Sequence, residues 1–141
     1  MEVNLYENCL TVNDFNLLRE SVGWSELPKL QVEQALKKGI YSVVAKHNEK
    51  IVAMGRLVGD ESMYWYIQDV IVMPEYQGKN IGERIIESLL KYIQIHSLPK
   101  TTTTVGLMVD KDKEEFYEKI GFIKQPNETI VVGMIKKIII N

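Results

Sequence analysis

The stretch Ile67-Gln68-Asp69-Val70-Ile71-Val72-Met73-Pro74-Glu75-Tyr76-Gln77-Gly78-Lys79-Asn80-Ile81-Gly82 carries the decisive pattern of this chain. It opens as an apolar run rich in β-branched residues, the composition of a buried strand. Pro74 stops the strand, because proline has no N–H for a sheet ladder. A loop containing glycine follows and opens directly into a helix from about Ile81 to Ile95, where Ile81, Ile85, Leu89 and Ile93 recur every four residues beside Ile86 and Leu90. This order favours an anion. The first N–H groups of a helix lack internal partners, and the helix dipole adds positive partial charge there. Gly78 and Gly82 let backbone come close to a ligand, and Lys79 adds a cation. A phosphate or pyrophosphate is the natural guest. The spacing is neither that of a Walker loop nor that of a Rossmann fingerprint. Two glycines taken alone also suit a plain strand–turn–helix connection.

Working outward, Asn13 to Val22 predicts a helix with Asn13 or Asp14 as its cap. Ser25 to Lys38 predicts a second helix after Pro28, with Leu30, Ala35 and Leu36 facing inward and Gly39 as the stop. The period then changes to that of strands at Tyr41–Lys46, Lys50–Val58 and Met63–Met73, separated by short polar turns, which is the pattern of an antiparallel meander. After the long helix, Thr101 to Val109 predicts a strand, Lys113 to Lys119 a short helix stopped by Gly121, and Ile130 to Ile140 a last strand. The resulting class is mixed α/β (α+β), a mostly antiparallel sheet flanked by helices. With no linker, repeat or low-complexity segment, residues 1–141 read as a single domain.

Composition narrows the function. Hydrophobic residues make up 45% and charged residues 26%, the balance of a soluble globular chain. The net charge of −2 offers no basic excess for nucleic acid. One cysteine, Cys9, excludes an internal disulfide or a multi-cysteine metal site, and His47 and His96 have no metal-ligand spacing. His47 reads as a turn residue and His96 as a solvated helix end. No signal peptide is visible and no run has the roughly 20 apolar residues of a membrane span, so a soluble cytoplasmic protein is expected.

The segment Val70 to Gly82 resembles the acetyl-CoA signature of the GNAT superfamily of N-acetyltransferases, Gln/Arg-x-x-Gly-x-Gly/Ala between a strand and a helix, here Gln77-Gly78-Lys79-Asn80-Ile81-Gly82. Phe116-Tyr117-Glu118-Lys119-Ile120-Gly121-Phe122 is similar to the family's second hallmark. The resemblance implies a central sheet splayed between two parallel strands, here Met63–Met73 and Thr101–Val109, with acetyl-CoA in the splay and CoA as product. It implies that the pantetheine arm pairs with backbone of Ile71 and Val72, and that the pyrophosphate sits on the amides of Gln77, Gly78, Lys79, Asn80, Ile81 and Gly82. Asn80 departs from the family's usual glycine, but asparagine tolerates left-handed backbone angles. The implied reaction is acyl transfer to the primary amine of a small molecule. It needs an amine that sheds its proton, a donor for the developing oxyanion, and an acid for the departing thiolate. By match to the motif, Tyr117 is the acid and also touches the cofactor, while N–H groups around Val72 serve the oxyanion.

Asp69 is the candidate base. Strand alternation puts it on the face of Ile67 and Ile71, and a carboxylate in a buried strand needs a partner. A structural carboxylate is its alternative reading, and Glu20, Glu26, Glu61, Asp110 or water are other routes for the proton. Trp24 and Tyr66 are the expected wall of the acceptor pocket, because aromatic rings suit an amine. Core packing competes for the same aromatics. The alternative function is a non-catalytic acyl-CoA-binding regulatory module on the same fold. A homodimer through the apolar Ile138-Ile139-Ile140 edge is expected, since such edges rarely stay bare.

Overall fold

The computed structural model describes residues 2–125, 134 and 136–141. Five strands, β1 (Asn4–Glu7), β2 (Tyr41–His47), β3 (Lys50–Gly59), β4 (Tyr64–Val72) and β5 (Thr104–Gly106), lie side by side in sequence order. The first four pair antiparallel, and β4 pairs with β5 in parallel. Helices α1 (Val12–Ser21), α2 (Lys29–Lys38) and α3 (Ile81–His96) complete a compact unit spanning Met1–Leu107. The remaining residues, Met108–Asn141, form a second compact unit. It holds a 3₁₀ turn at Lys111–Lys113 and helix α4 (Glu114–Lys119).

The mixed, mostly antiparallel architecture is the expected one, and the meander and α3 fall where their periodicity places them. α3 buries Ile81, Ile85, Ile86, Leu89 and Ile93. On the other face of the sheet, Phe15 and Leu18 of α1 and Val32 of α2 bury against Val44, Ile51, Met54 and Ile71. The buried amide of Asn16 braces the α1–α2 connection, accepting from the N–H of Leu27 at 3.0 Å and donating to its carbonyl at 3.1 Å.

Several local expectations are corrected. Thr11 caps α1, its hydroxyl accepting from the Asp14 N–H at 3.1 Å, so the cap is neither Asn13 nor Asp14. α2 starts after Pro28 as expected, and Leu36 packs against the core, but the buried residue is Val32; Leu30 is 66% exposed and Ala35 is exposed, because the helix lays down a narrow stripe. The edge strand β1 was not anticipated, since four residues of mixed polarity carry no alternation. β5 is much shorter than Thr101–Val109, because it has a partner only at Tyr64–Tyr66. α4 begins one residue later than expected, behind its 3₁₀ turn. The expected Ile130–Ile140 strand falls largely outside the described residues, and residues 136–141 adopt no regular structure.

One glycine is required by packing. A Cβ on Gly55 of β3 would lie 2.6 Å from Ile85 Cγ2 and 3.2 Å from Leu89 Cδ1, so its absence lets α3 settle on the sheet. Gly55→Ala is expected to destabilise the fold by about 1–3 kcal/mol, as overpacking does, because the neighbours are side-chain tips that can shift. Urea unfolding checks this.

Candidate active site

Two devices in β4 shape the site. The first is a bulge. Met54 pairs with Ile71 and Arg56 with Gln68, so Gly55 of β3 faces both Asp69 and Val70. Asp69 takes up the extra residue at φ +57, a left-handed conformation that aspartate tolerates better than most residues. The bulge reverses the alternation of side chains. Before it, Trp65 packs edge-on against Tyr92 of α3, with Ile67 two residues on. After it, Val70 and Val72 approach α3, while Ile71 joins the α1–α2 core. Ile67 and Ile71 therefore face opposite sides, which corrects the simple alternation expected from the sequence.

Asp69 lies on the α1–α2 side. Its Oδ2 accepts from Arg56 Nε at 2.9 Å, with side-chain exposures of 6% and 12%, and the Arg56 guanidinium also stands 5.9 Å from the centre of the Phe15 ring. The carboxylate is thus already engaged. The other carboxylates considered, Glu20, Glu26, Glu61 and Asp110, are all exposed.

The second device is an open edge. β4 and β5 pair only from Tyr64/Thr104 to Tyr66/Gly106, so β4 from Ile67 to Val72 has no strand partner on that side among the described residues. The Met73 N–H donates to the Val52 carbonyl at 2.9 Å. By antiparallel alternation Ile71 also aims its main chain at β3, whereas Val72 aims its N–H and C=O at the open edge. Val70 has the same parity as Val72 and was not singled out from the sequence, because the bulge is set by the pairing with β3.

The loop continues from this edge. A 3₁₀ turn at Pro74–Tyr76 leads to Gln77, whose Nε2 donates to the Val72 carbonyl at 2.9 Å and ties the loop to the strand end. Gly78 sits at φ +77 with nothing within 4 Å of the Cβ position. Asn80 adopts φ +63 and ψ 15 and makes no side-chain capping bond, so it supplies the left-handed turn a glycine would. The first helical bond of α3 runs from the Arg84 N–H to the Asn80 carbonyl at 3.2 Å, leaving the N–H groups of Ile81, Gly82 and Glu83 without an acceptor inside the helix. Gly82 is open, its Cβ position meeting only Val72 Cγ2 at 3.6 Å, and Lys79 is exposed. Diphosphate fits this cradle: the N–H groups of Ile81, Gly82 and Glu83 have no acceptor inside the helix, and the Cβ positions of Gly78 and Gly82 are open.

The Acetyltransferase (GNAT) domain family matches residues 20–136 of this chain. The chain belongs to the GNAT superfamily of acetyltransferases. Among curated relatives, it is 33% identical over 129 residues to the uncharacterised N-acetyltransferase ycf52 of Pyropia yezoensis, covering 89% of this chain and 68% of that protein. It is 27% identical over 138 residues to the chloroplastic GCN5-related N-acetyltransferase 2 of Arabidopsis thaliana, covering 83% and 52%. Among solved structures, a probable acetyltransferase of unknown function from methicillin-resistant Staphylococcus aureus superposes with a TM-score of 0.85 at 29% identity, over 97% of this chain and all of that one (100%). A GNAT family acetyltransferase from Streptococcus pneumoniae gives 0.80 at 25% identity, over 96% and 98%.

In this GNAT chain the expected acceptor aromatics differ in setting. Tyr66 is half-buried on β4, on the face opposite Trp65, and burial raises its pKa. Trp24 is 41% exposed and already has the Arg19 guanidinium 5.2 Å above its ring. Trp65 belongs to the core, its Nε1 donating to Thr103 Oγ1 at 2.9 Å.

The second hallmark forms its own cluster in the unit from Met108. Tyr117 packs edge-on against Phe116 at 5.0 Å and Phe122 at 5.8 Å, and its carbonyl accepts from the Phe122 N–H at 3.1 Å. Gly121, at φ +103, makes the turn that brings Phe122 back. Burial, with Asp110 adding a smaller repulsion, pushes the phenol's pKa up from its ordinary value. The hydroxyl therefore keeps its proton at neutral pH. No cluster of metal-binding side chains occurs among the described residues, and none of the described helices is long and apolar enough to cross a membrane.

Proposed function

We propose that this GNAT domain transfers the acetyl group of acetyl-CoA directly to the primary amine of a small molecule. The observation that carries the reading is the unpaired β4 edge running straight into the uncapped N-terminus of α3. On this reading the amides of Gly78 to Gly82 hold the diphosphate, because the Gln77 N–H is already bonded to the Pro74 carbonyl at 3.2 Å, and Lys79 supplies a screened surface charge. Val70 and Val72 offer main-chain groups to the pantetheine arm, a ligand adding itself as a strand. When bound, acetyl-CoA supplies an activated thioester. The Val72 N–H donates toward its carbonyl oxygen, and Tyr117 delivers a proton to the sulfur. Tyr66 and Trp24 contribute an aromatic wall for the amine.

Asp69 is assigned to holding the bulge, because its carboxylate is engaged by Arg56; the amine then loses its proton to water. The acceptor amine, a homodimer and a cytoplasmic setting belong to the same proposal. One similar protein, from Arabidopsis thaliana, is named chloroplastic.

Thermal unfolding with saturating CoA is the first test. A ligand at about 100 times its Kd stabilises the folded state by about 2.7 kcal/mol. An unchanged Tm would remove the cofactor reading. Thiol release from acetyl-CoA across a panel of amines then separates an enzyme from a regulatory binding module. Tyr117→Phe is expected to lower turnover by roughly 10²–10⁴-fold, the usual worth of a positioned general acid, with CoA affinity nearly unchanged. Because burial raises this pKa, no loss of activity from Tyr117 deprotonation is expected until the pH rises above about 10. Turnover equal to the parent would take Tyr117 out of the acid role.

A further inference from the structure

The turn between β2 and β3 holds an arrangement the acetyl-transfer reading does not use. It is a two-residue connection, Asn48-Glu49, with both residues at positive φ, +50 and +66. That geometry sets His47 and Lys50 directly opposite one another at the end of the ladder. Both then reach the same target. His47 Nδ1 lies 2.9 Å from the hydroxyl of Tyr76, and the two rings meet edge-on at 5.6 Å. Lys50 Nζ stands 5.8 Å from the centre of the Tyr76 ring and 3.7 Å from Glu75 Oε1. The Tyr76 ring itself packs against the α1–α2 core.

Tyr76 is the last residue of the 3₁₀ turn and immediately precedes Gln77, where the diphosphate cradle begins. The cradle is otherwise tethered by the Gln77–Val72 bond and by turn bonds such as Gln77 N–H to the Pro74 carbonyl at 3.2 Å. Left-handed residues at Gly78 and Asn80 give it an irregular path. Such a loop presents its donors at a fixed spacing only if its entry is fixed. The hydroxyl of Tyr76 is the one polar handle on an otherwise apolar anchor, and His47 holds it.

The geometry points to His47 as a positioning residue: with Tyr76 it forms a latch between the β2–β3 turn and the cofactor loop, which sets the loop's amides for diphosphate. This rests on the diphosphate reading of the cradle. The latch touches no reacting atom, so its loss acts on affinity for the diphosphate half of the carrier and not on the pantetheine half. A neutral hydrogen bond of this kind corresponds to a change of about 3- to 10-fold.

The test measures the Kd of CoA and of S-acetylpantetheine, which lacks the diphosphate, for the full chain and for His47→Ala, His47→Asn, Tyr76→Phe and the double variant His47→Ala/Tyr76→Phe. Tyr76→Phe keeps the ring in the core, so it folds. The expected result is a CoA Kd raised about 3- to 10-fold by His47→Ala and by Tyr76→Phe, with no further rise in the double variant, because both changes break the same bond. His47→Asn, whose amide can sit near the Nδ1 position, should recover part of the loss. S-acetylpantetheine affinity should not move. Equal losses for both ligands, additive losses in the double variant, or a parental CoA Kd throughout would each overturn the latch. Failure of the parent chain to bind CoA would instead remove the diphosphate reading, and the latch with it.

Discussion

Gly82→Asp is expected to weaken CoA binding about 100-fold while leaving the fold intact or slightly firmer. Gly82 is the second residue of α3, where an acidic side chain meets the positive end of the helix dipole and stabilises by about 0.3–1 kcal/mol. Its Cβ position meets only Val72 Cγ2, at an ordinary 3.6 Å, so the fold does not resist the substitution. The same carboxylate would stand where the diphosphate must lie. Like charges about 5 Å apart at an effective dielectric near 20 repel by about 3 kcal/mol, or about 100-fold in affinity. Gly82→Asn is the neutral control of equal size and should lose far less. Calorimetric titration with CoA and a thermal scan of both variants decide the matter. Retained CoA affinity in the aspartate variant, with a normal Tm, would place the diphosphate elsewhere.

The second large effect is on stability. Arg56→Ala should cost about 3–5 kcal/mol, because it leaves the Asp69 carboxylate buried without its partner. That is a large share of the stability of any single domain, and corresponds to a fall in Tm of roughly 10–15 °C for a chain of this size. The pair Arg56→Met with Asp69→Asn should recover much of the loss, since no charge is then left unpaired, and asparagine still accepts the left-handed angle at this position. Asp69→Ala should fare worse than Asp69→Asn for the same backbone reason. Urea midpoints for the four variants give the comparison. A loss below about 1 kcal/mol for Arg56→Ala would mean that water reaches the carboxylate and that the ion pair is a surface one in energetic terms.

The ion pair shows what makes Asp69 conspicuous in the sequence. A carboxylate in an apolar strand is conspicuous, and catalysis and structure both account for it at that level. The partner that a buried carboxylate requires is thirteen positions away on the neighbouring strand, invisible to any local pattern. Gln77 to Gly82 was legible for the opposite reason. Its chemistry lies in main-chain N–H groups at the start of a helix, and the residues that mark it, the glycines and the amphipathic repeat after them, are contiguous.

Local order thus determined the elements and the cradle: a run of β-branched residues, a proline stop, a glycine loop and a four-residue apolar repeat need no long-range information to be what they are. The strand register, the bulge at Asp69 that turns Ile67 and Ile71 to opposite faces, the early end of β5 and the Arg56 and His47 partnerships were decided only in three dimensions. The physical reason is that each depends on which residue of another strand lies opposite. That register follows from burying two faces of one sheet at once, and no single segment encodes it.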